Sequence, residues 1–119
     1  MPLIRFQTAV AVEQKQAEEL CAALSKVTAE VIGKPEAYVM AIVDAVPAGR
    51  VMLMAGERGA AAFVEVRSIG GLGAKVNTAL SARVCELAEA KLGIAPDRVY
   101  LNFTDIPAGS WGHDGATFG

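Results

Sequence analysis

The stretch Ile4-Arg5-Phe6-Gln7-Thr8 alternates apolar and polar side chains, and Val64-Glu65-Val66-Arg67-Ser68 repeats the alternation 60 residues later. Such alternation is typical of a strand that buries one face. Gly33 and Gly93 are also 60 residues apart, and each follows a helical pattern as a C-terminal stop. The sequence therefore predicts two tandem βαβ units of about 45 residues, packed into one sheet with both helices on one face.

The two units are expected to share a single domain. They cover about residues 2–46 and 61–107, inside one domain of residues 1–119. Each unit holds one helix, predicted at residues 13–32 and 73–92 from apolar side chains spaced three and four apart. A proline follows each stop glycine within three residues and opposes continuation of the helix.

Strand patterns surround the two helices. One segment, residues 38–43, is apolar almost throughout, which is typical of a central strand. Two others flank Gly56-Glu57-Arg58-Gly59 and are predicted to pair as a hairpin. The tail after Asp105 is rich in glycine and is expected to be loop with short strands. The five predicted strands cover residues 3–8, 38–43, 51–55, 61–67 and 99–103.

The second face of this sheet also needs a cover. The strands are interpreted as apolar on both sides, and the sequence offers no third long helix to pack on the side opposite the first two. Self-association is therefore expected to bury that face.

Composition and charge exclude several classes of protein. Hydrophobic residues make up 53% of the 119 residues, charged residues 20%, and the formal net charge is −2. These values indicate a folded domain with no basic surface for nucleic acid or an anionic membrane. The longest stretch without Asp, Glu, Lys or Arg, residues 106–113, is far shorter than the ~18–20 residues of a membrane span.

The cysteine count and the N-terminus indicate the compartment. Cys21 and Cys85 are too few for a disulfide framework. Residues 1–5 have no basic segment followed by an apolar run, so no signal peptide is predicted. A cytoplasmic location is expected, with release that needs no signal peptide as a further option.

Five segments, taken in order, carry a resemblance that runs end to end. They are Met1-Pro2, Gly33-Lys34-Pro35 followed by Tyr38, Ser68-Ile69-Gly70, Pro96-Asp97-Arg98-Val99-Tyr100-Leu101-Asn102, and Thr117-Phe118. With these segments the chain resembles the macrophage migration inhibitory factor (MIF) family of the tautomerase superfamily. The resemblance implies an α+β fold of the α/β type, with a four-stranded mixed sheet under two antiparallel helices. It also implies a homotrimer whose three sheets line a central barrel, with sites between subunits.

The resemblance further implies a keto–enol tautomerase acting on phenylpyruvate-like keto acids. The initiator methionine is removed, and the amine of Pro2 acts as general base and acid. A free α-amino group titrates near pH ~8, and an apolar pocket lowers that value, so the amine can be neutral at working pH. No metal and no organic cofactor are expected.

The remaining site residues are implied in the same way. Lys34 would hold the substrate carboxylate or carbonyl oxygen, and Ile69 would offer a backbone N–H, with Ser68 beside it. Aromatic walls and a polar contact from the neighbouring subunit complete the set. These predicted residues are Tyr38, Tyr100 and Phe118 for the walls, Asn102 for the contact, and Trp111 and His113 for the pocket rim.

Departures from the family leave other functions open. Ala61-Ala62-Phe63-Val64 replaces the Cys-x-x-Cys of the mammalian cytokines, and Arg67 replaces their histidine before Ser-Ile-Gly. A cytokine-like binding protein with vestigial catalysis, acting on a receptor, is the main alternative. Decarboxylation or dehalogenation on the same proline is a third.

Ordinary structural roles compete with some of these assignments. Pro2 could start an edge strand, and Lys34 could be a solvated residue near a helix end. The glycine-rich residues 70–75 match no nucleotide-binding motif. His113 is the only histidine, so a histidine metal site is not expected.

Overall fold

The computed structural model describes residues 1–47 and 50–119. Two helices and four main strands alternate along the chain, with short 3₁₀ turns at Glu36–Tyr38, Pro96–Arg98 and Ala108–Ser110. The main elements are β1 (Pro2–Thr8), α1 (Gln14–Ile32), β2 (Met40–Ala45), β3 (Ala62–Ser68), α2 (Ala74–Leu92) and β4 (Val99–Asp105). The tail forms a small ribbon of β5 (Gly112–His113) and β6 (Ala116–Thr117).

The four main strands form one mixed sheet in the order β2-β1-β3-β4. β1 runs parallel to β2 and antiparallel to β3, and β3 runs parallel to β4. The predicted fold class is therefore confirmed. The register also places the start of β1, at Pro2, beside the end of β3, at Ser68.

One face of the sheet carries the hydrophobic core. Alternate residues of the central strands, such as Ile4, Phe6, Val64 and Val66, are fully buried against the helices. The helices contribute their own buried stripes, which include Leu20, Leu24, Leu80 and Val84. This agrees with the two helical patterns of the sequence. In the described residues, neither helix has the length and apolar character that crossing a membrane requires.

Both helices end at the predicted glycines. Gly33 and Gly93 adopt left-handed backbone conformations, with φ of 77° and 67°. A residue without a Cβ adopts this conformation at no steric cost, and it lets the chain leave the helix at once. At the start of α1, the backbone N–H of Glu13 donates to the side-chain oxygen of Gln16 at 3.1 Å, so Glu13 precedes the helix rather than opening it.

The interpretation of residues 38–43 as a central strand is wrong. The strand begins at Met40 and lies at the edge of the sheet. Its apolar run has another cause, because Ala41 and Val43 pack against the core under the helices. A continuous apolar pattern therefore indicates that side chains on a strand are covered, and it does not indicate whether the strand is central or at the edge of the sheet.

The predicted hairpin between residues 51–55 and 61–67 is also wrong. β3 already pairs with β1 on one side and β4 on the other, so no backbone edge remains for residues 51–55. Met54 and Glu57 instead exchange two backbone hydrogen bonds, of 3.0 and 3.1 Å, around an isolated two-residue turn. Ala55 and Gly56 form that turn with φ of 54° and 74°.

The expectation of a second apolar face is corrected as well. On the helix-free face, Arg5 Nε lies 3.1 Å from Asp44 Oδ2, and Arg5 Nη1 lies 3.6 Å from Glu65 Oε2. Arg67 Nη2 lies 3.9 Å from Glu65 Oε1. The chain of charges occupies alternate positions on adjacent strands, so this face is mixed and partly ionic. Exposed apolar surface lies toward its edges, where Met40 is 62% exposed and Tyr100 66%.

Candidate active site

A cleft of about 640 Å³ opens at the end of the sheet where β1 and β2 begin and β3 ends. On the helix-free face, Met40, Leu3 and Arg67 form a row across these three strands. The tail closes the opposite side. The lining residues are Met1, Pro2, Leu3, Ala37, Tyr38, Val39, Met40, Arg67, Ile106, Ser110, Trp111, Gly112 and His113.

Pro2 lies in this cleft at the first position of β1. Its side chain is fully buried, and its Cα partner across β3 is Ser68. Burial lowers the pKa of the preceding α-amino group, that of Met1, and the positive charge of Lys34 lowers it further. An amine at this end of the chain is therefore more readily neutral than one in water.

Lys34 adjoins the cleft from the side of the helices. It follows the left-handed Gly33 at the end of α1, and its Nζ donates a hydrogen bond of 2.9 Å to the carbonyl oxygen of Ile69. The close approach depends on Gly71. A Cβ there would lie 2.8 Å from Ile32 Cγ2 and 3.3 Å from Lys34 Cε. The glycine therefore makes room for the lysine stem.

The loop after β3 is held by a local set of hydrogen bonds. Ser68 is fully buried, and its hydroxyl donates to the carbonyl oxygen of Gly70 at 2.7 Å. The N–H of Gly70 donates to Asp105 Oδ1 at 2.9 Å, and the N–H of Ile106 donates to the carbonyl of Ser68 at 2.9 Å. Ser68 and Ile69 thus support the end of the cleft rather than lining it. The contact of Ile69 is through its carbonyl, whereas the resemblance implied its N–H.

Aromatic side chains form the rim on two sides. Tyr38 lines the cleft from the 3₁₀ turn after Lys34 and is 54% exposed. Trp111 and His113 line it from the tail. Phe118 stacks on His113 with ring centroids 5.8 Å apart and an interplanar angle of 8°, and its N–H donates to the carbonyl of Trp111 at 3.1 Å. Phe118 therefore supports the rim from behind.

Tyr100 and Asn102 lie apart from this cleft within one chain. Both lie on β4, the edge strand on the other side of the sheet, where they pair with Phe63 and Glu65 of β3. Phe63 is five residues along β3 from Ser68, a distance of about 16 Å at the usual rise of a strand. A single chain therefore assembles Pro2, Tyr38, Trp111 and His113, with Lys34 adjoining, and leaves Tyr100 and Asn102 on another surface.

Arg67 lines the cleft, although it was not among the predicted site residues. The sequence held a signal for it, because Arg67 directly precedes the matched Ser68-Ile69-Gly70 segment. Alternation along β3 places its side chain on the face opposite that of the buried Ser68. Leu3, Met40 and Ile106 were also missed, since lining residues of these types look like ordinary core residues.

The described residues hold no group of three or more His, Cys, Asp or Glu side chains placed to bind a metal ion. The cleft's own chemistry consists of an amine-bearing chain end, two nearby cations, an imidazole and aromatic walls.

Comparison with known proteins gives the same family along the whole chain. A family model described as Macrophage migration inhibitory factor (MIF) matches residues 1–119. The macrophage migration inhibitory factor homolog of Trichuris trichiura is 33% identical over 118 residues, covering 99% of this chain and 100% of that protein. The macrophage migration inhibitory factor of Mus musculus is 36% identical over 95 residues, or 80% of each chain.

A solved structure extends the likeness to three dimensions. The macrophage migration inhibitory factor homologue from Prochlorococcus marinus matches with a TM-score of 0.90 and 40% identity, covering 98% of this chain and 99% of that one. The resemblance drawn from the five sequence segments is thereby confirmed. The chain belongs to the macrophage migration inhibitory factor family and has the fold of the tautomerase superfamily.

Proposed function

We propose that this protein is a keto–enol tautomerase that acts on phenylpyruvate-like keto acids through the amine of Pro2. One observation carries the proposal. Pro2 lies buried at an aromatic-rimmed cleft, at a chain end where burial and Lys34 lower the pKa of the Met1 α-amino group, and we expect the same surroundings to act on the amine of Pro2 once Met1 is removed. Family membership supports the same chemistry.

The reaction needs one group that both accepts and donates a proton. A neutral proline amine takes the proton from the carbon next to the ketone, and the electron pair of that C–H bond forms the enolate. The same amine, now protonated, delivers the proton to the enolate oxygen, which gives the enol with no net change in atoms or charge. General acid–base catalysis of this kind contributes about 10²–10⁴-fold.

Removal of Met1 is part of the proposal. While Met1 remains, the nitrogen of Pro2 belongs to a peptide bond and has no basic lone pair. Met1 itself lines the cleft, so its removal frees the amine and also opens space for a ligand. Intact-mass measurement identifies the processed protein, which is the form to assay.

We also propose that a homotrimer completes the site. Tyr100 is 66% exposed, and it lies with Asn102 on the part of β4 that is away from the cleft of its own chain. A neighbouring copy that places its β4 against this cleft would supply both side chains. Light scattering on the purified protein should give three times the mass of one chain, and a monomer with full activity would contradict the arrangement.

The deciding experiment is the Pro2→Gly variant assayed with phenylpyruvate. Loss of the secondary amine should lower kcat/KM by about 10²–10⁴-fold, followed as keto–enol exchange by absorbance. Pro96→Gly, in the 3₁₀ turn at the opposite end of the sheet, is the matched control and should keep its activity. Full activity of processed Pro2→Gly protein would refute the proline mechanism.

A second candidate is a cytokine-like signalling protein, which the name of the Mus musculus relative favours. Receptor binding would then use the outer surface of the protein and be independent of the cleft. Adding wild-type and Pro2→Gly protein to migrating macrophages separates the two functions. Equal inhibition by both would support signalling, and no effect of either would argue against it.

A further inference from the structure

Among the residues that the structure describes, Arg67 is the one Lys or Arg side chain that lines the cleft. Its backbone lies opposite Leu3, one step along β3 from the Ser68 that pairs with Pro2. In the part of the chain that the structure describes, the lining residues include no Asp or Glu. An anionic ligand beside Pro2 would therefore meet this guanidinium without competition from a carboxylate of the cleft itself.

Lys34 is placed differently. Its Nζ is engaged by the carbonyl of Ile69 at 2.9 Å, and the side chain is not among the residues that line the cleft. Its stem passes close to the backbone of Gly71, where an added Cβ would lie 3.3 Å from Lys34 Cε. A substrate contact through Nζ would require this hydrogen bond to be given up or shared.

The ion pairs on the helix-free face include only a long contact to Arg67. Arg5 is bound at 3.1 Å by Asp44 and also approaches Glu65 at 3.6 Å. Within one chain, and among its described residues, Arg67 stands at the end of this chain of charges, with one ion pair, to Glu65 at 3.9 Å, and a side chain that is 50% exposed. The contact is too long for a strong hydrogen bond, so most of the planar donor fork of Arg67 remains available.

We propose that Arg67, rather than Lys34, binds the carboxylate of the ligand in this cleft. The proposal rests on the proposed function in that the ligand is taken to be a keto acid. A guanidinium matches a carboxylate with two parallel N–H···O bonds, which fixes the orientation of the acid as well as its position. With the carboxylate at Arg67, the adjoining carbonyl and its enolisable carbon lie toward Pro2. Arg67 is thus a specificity-determining residue that selects α-keto acids over neutral ketones.

Trp111 allows the proposal to be tested without turnover. It is the only tryptophan in the chain and it lines the cleft. The probe is 3-phenylpropanoate, a carboxylate with an aromatic ring and no enolisable ketone. Its dissociation constant is read from the fluorescence of Trp111 in processed protein.

Arg67→Gln should raise this dissociation constant about ten- to a hundred-fold, as expected for loss of charge-assisted hydrogen bonds. Arg67→Lys should recover only part of the affinity, because a lysine has no donor fork. Glu65→Gln should tighten binding by up to about fivefold, since it removes the anion that competes for Arg67. This opposite sign is not expected if Arg67 merely supports the fold.

Two further variants complete the design. Arg83→Gln removes an equal charge from an exposed pair with Glu30 and should leave affinity unchanged within about twofold. Lys34→Gln should weaken binding less than Arg67→Gln does. Circular dichroism verifies that each variant is folded.

The proposal is overturned if Lys34→Gln weakens the ligand more than Arg67→Gln, or if wild-type protein gives no saturable signal. Absence of tautomerase activity with Arg67-dependent binding would instead refute the proposed function alone. Activity with Arg67-independent binding would refute the present proposal alone.

Discussion

The two ends of the sheet are built from the same sequence of elements and do different things. At one end, β1 begins at Pro2 and the chain returns from α1 through a 3₁₀ turn into β2. At the other end, β3 begins at Ala62 and the chain returns from α2 through a 3₁₀ turn into β4. The first end holds the candidate site, whereas the second end is filled by a buried side chain and by hydrogen bonds to a loop.

The residue after each stop glycine shows the difference most clearly. Gly33 is followed by Lys34, whose ammonium reaches the Ile69 carbonyl beside the cleft. Gly93 is followed by Ile94, which is fully buried in the core. The left-handed turn is the same, and only the side chain determines whether the position supplies charge or packing.

The two 3₁₀ turns diverge in the same way. The first presents Tyr38 to the cleft. The second presents Arg98, whose guanidinium donates to the carbonyls of Met54, Glu57 and Ala60 at 2.9, 3.1 and 3.2 Å. The same backbone turn therefore occurs at both ends of the sheet, but at one end it lines an open cleft and at the other end it holds a loop by hydrogen bonds.

Ile94→Ala should have the largest effect on stability. Truncating a fully buried isoleucine costs about 2–5 kcal/mol of unfolding free energy, because the cavity is filled only in part. Lys34→Ala, the matched change at the other end, should cost about 1 kcal/mol, the scale of one hydrogen bond. Urea unfolding at one protein concentration measures the free energy of unfolding of both variants. Equal losses of free energy would contradict the proposed difference between the two ends.

Arg98→Ala should have an intermediate effect. It removes three hydrogen bonds to the carbonyls of residues 54, 57 and 60 and should cost about 1–3 kcal/mol. Faster trypsin cleavage at Arg58, within the released loop, gives a local readout. Arg98→Lys keeps the charge without the fork and should protect the loop only in part. Unchanged cleavage in Arg98→Ala would show that the loop is held by other contacts.

Lys34→Gln should have the smallest effect on stability but should displace the pH profile. Burial and the charge of Lys34 lower the pKa of the Met1 α-amino group. We expect the same charge to act on the amine of Pro2 once Met1 is removed, so loss of the charge should raise the pKa of that amine and leave less neutral amine at a given pH. The acidic limb of kcat/KM should therefore move to higher pH. Lys91→Gln, in the last turn of α2, is the control and should leave the limb in place. An unmoved limb in Lys34→Gln would contradict electrostatic tuning by Lys34.

Much of the fold could be predicted because its signals are local. The helix ends follow from two glycines that adopt left-handed conformations, and the paired central strands follow from alternating side chains. The failed hairpin had a local signal too, and the turn at Ala55-Gly56 does form. Its strands do not, since both edges of β3 are occupied by segments far away in sequence.

The candidate site was predicted unevenly for a related reason. Pro2, Tyr38, Trp111 and His113 converge, although they come from the two ends of the chain and the region after α1. Arg67 was not predicted because an arginine in the alternating pattern of a strand is usually a solvated residue. Its place in the cleft becomes evident only from the register, which puts it in one row with Leu3 and Met40.

The amino-acid sequence by itself determined the two βαβ units, the stops of both helices and the family. These depend on side-chain periodicity, on backbone conformations open to glycine, and on motifs read in order. Only the tertiary structure decided that residues 40–45 form an edge strand, that the helix-free face carries ion pairs, and that Arg67 lines the cleft while Lys34 is held by a backbone carbonyl. Those outcomes depend on register and on contacts between distant segments, which no local pattern encodes.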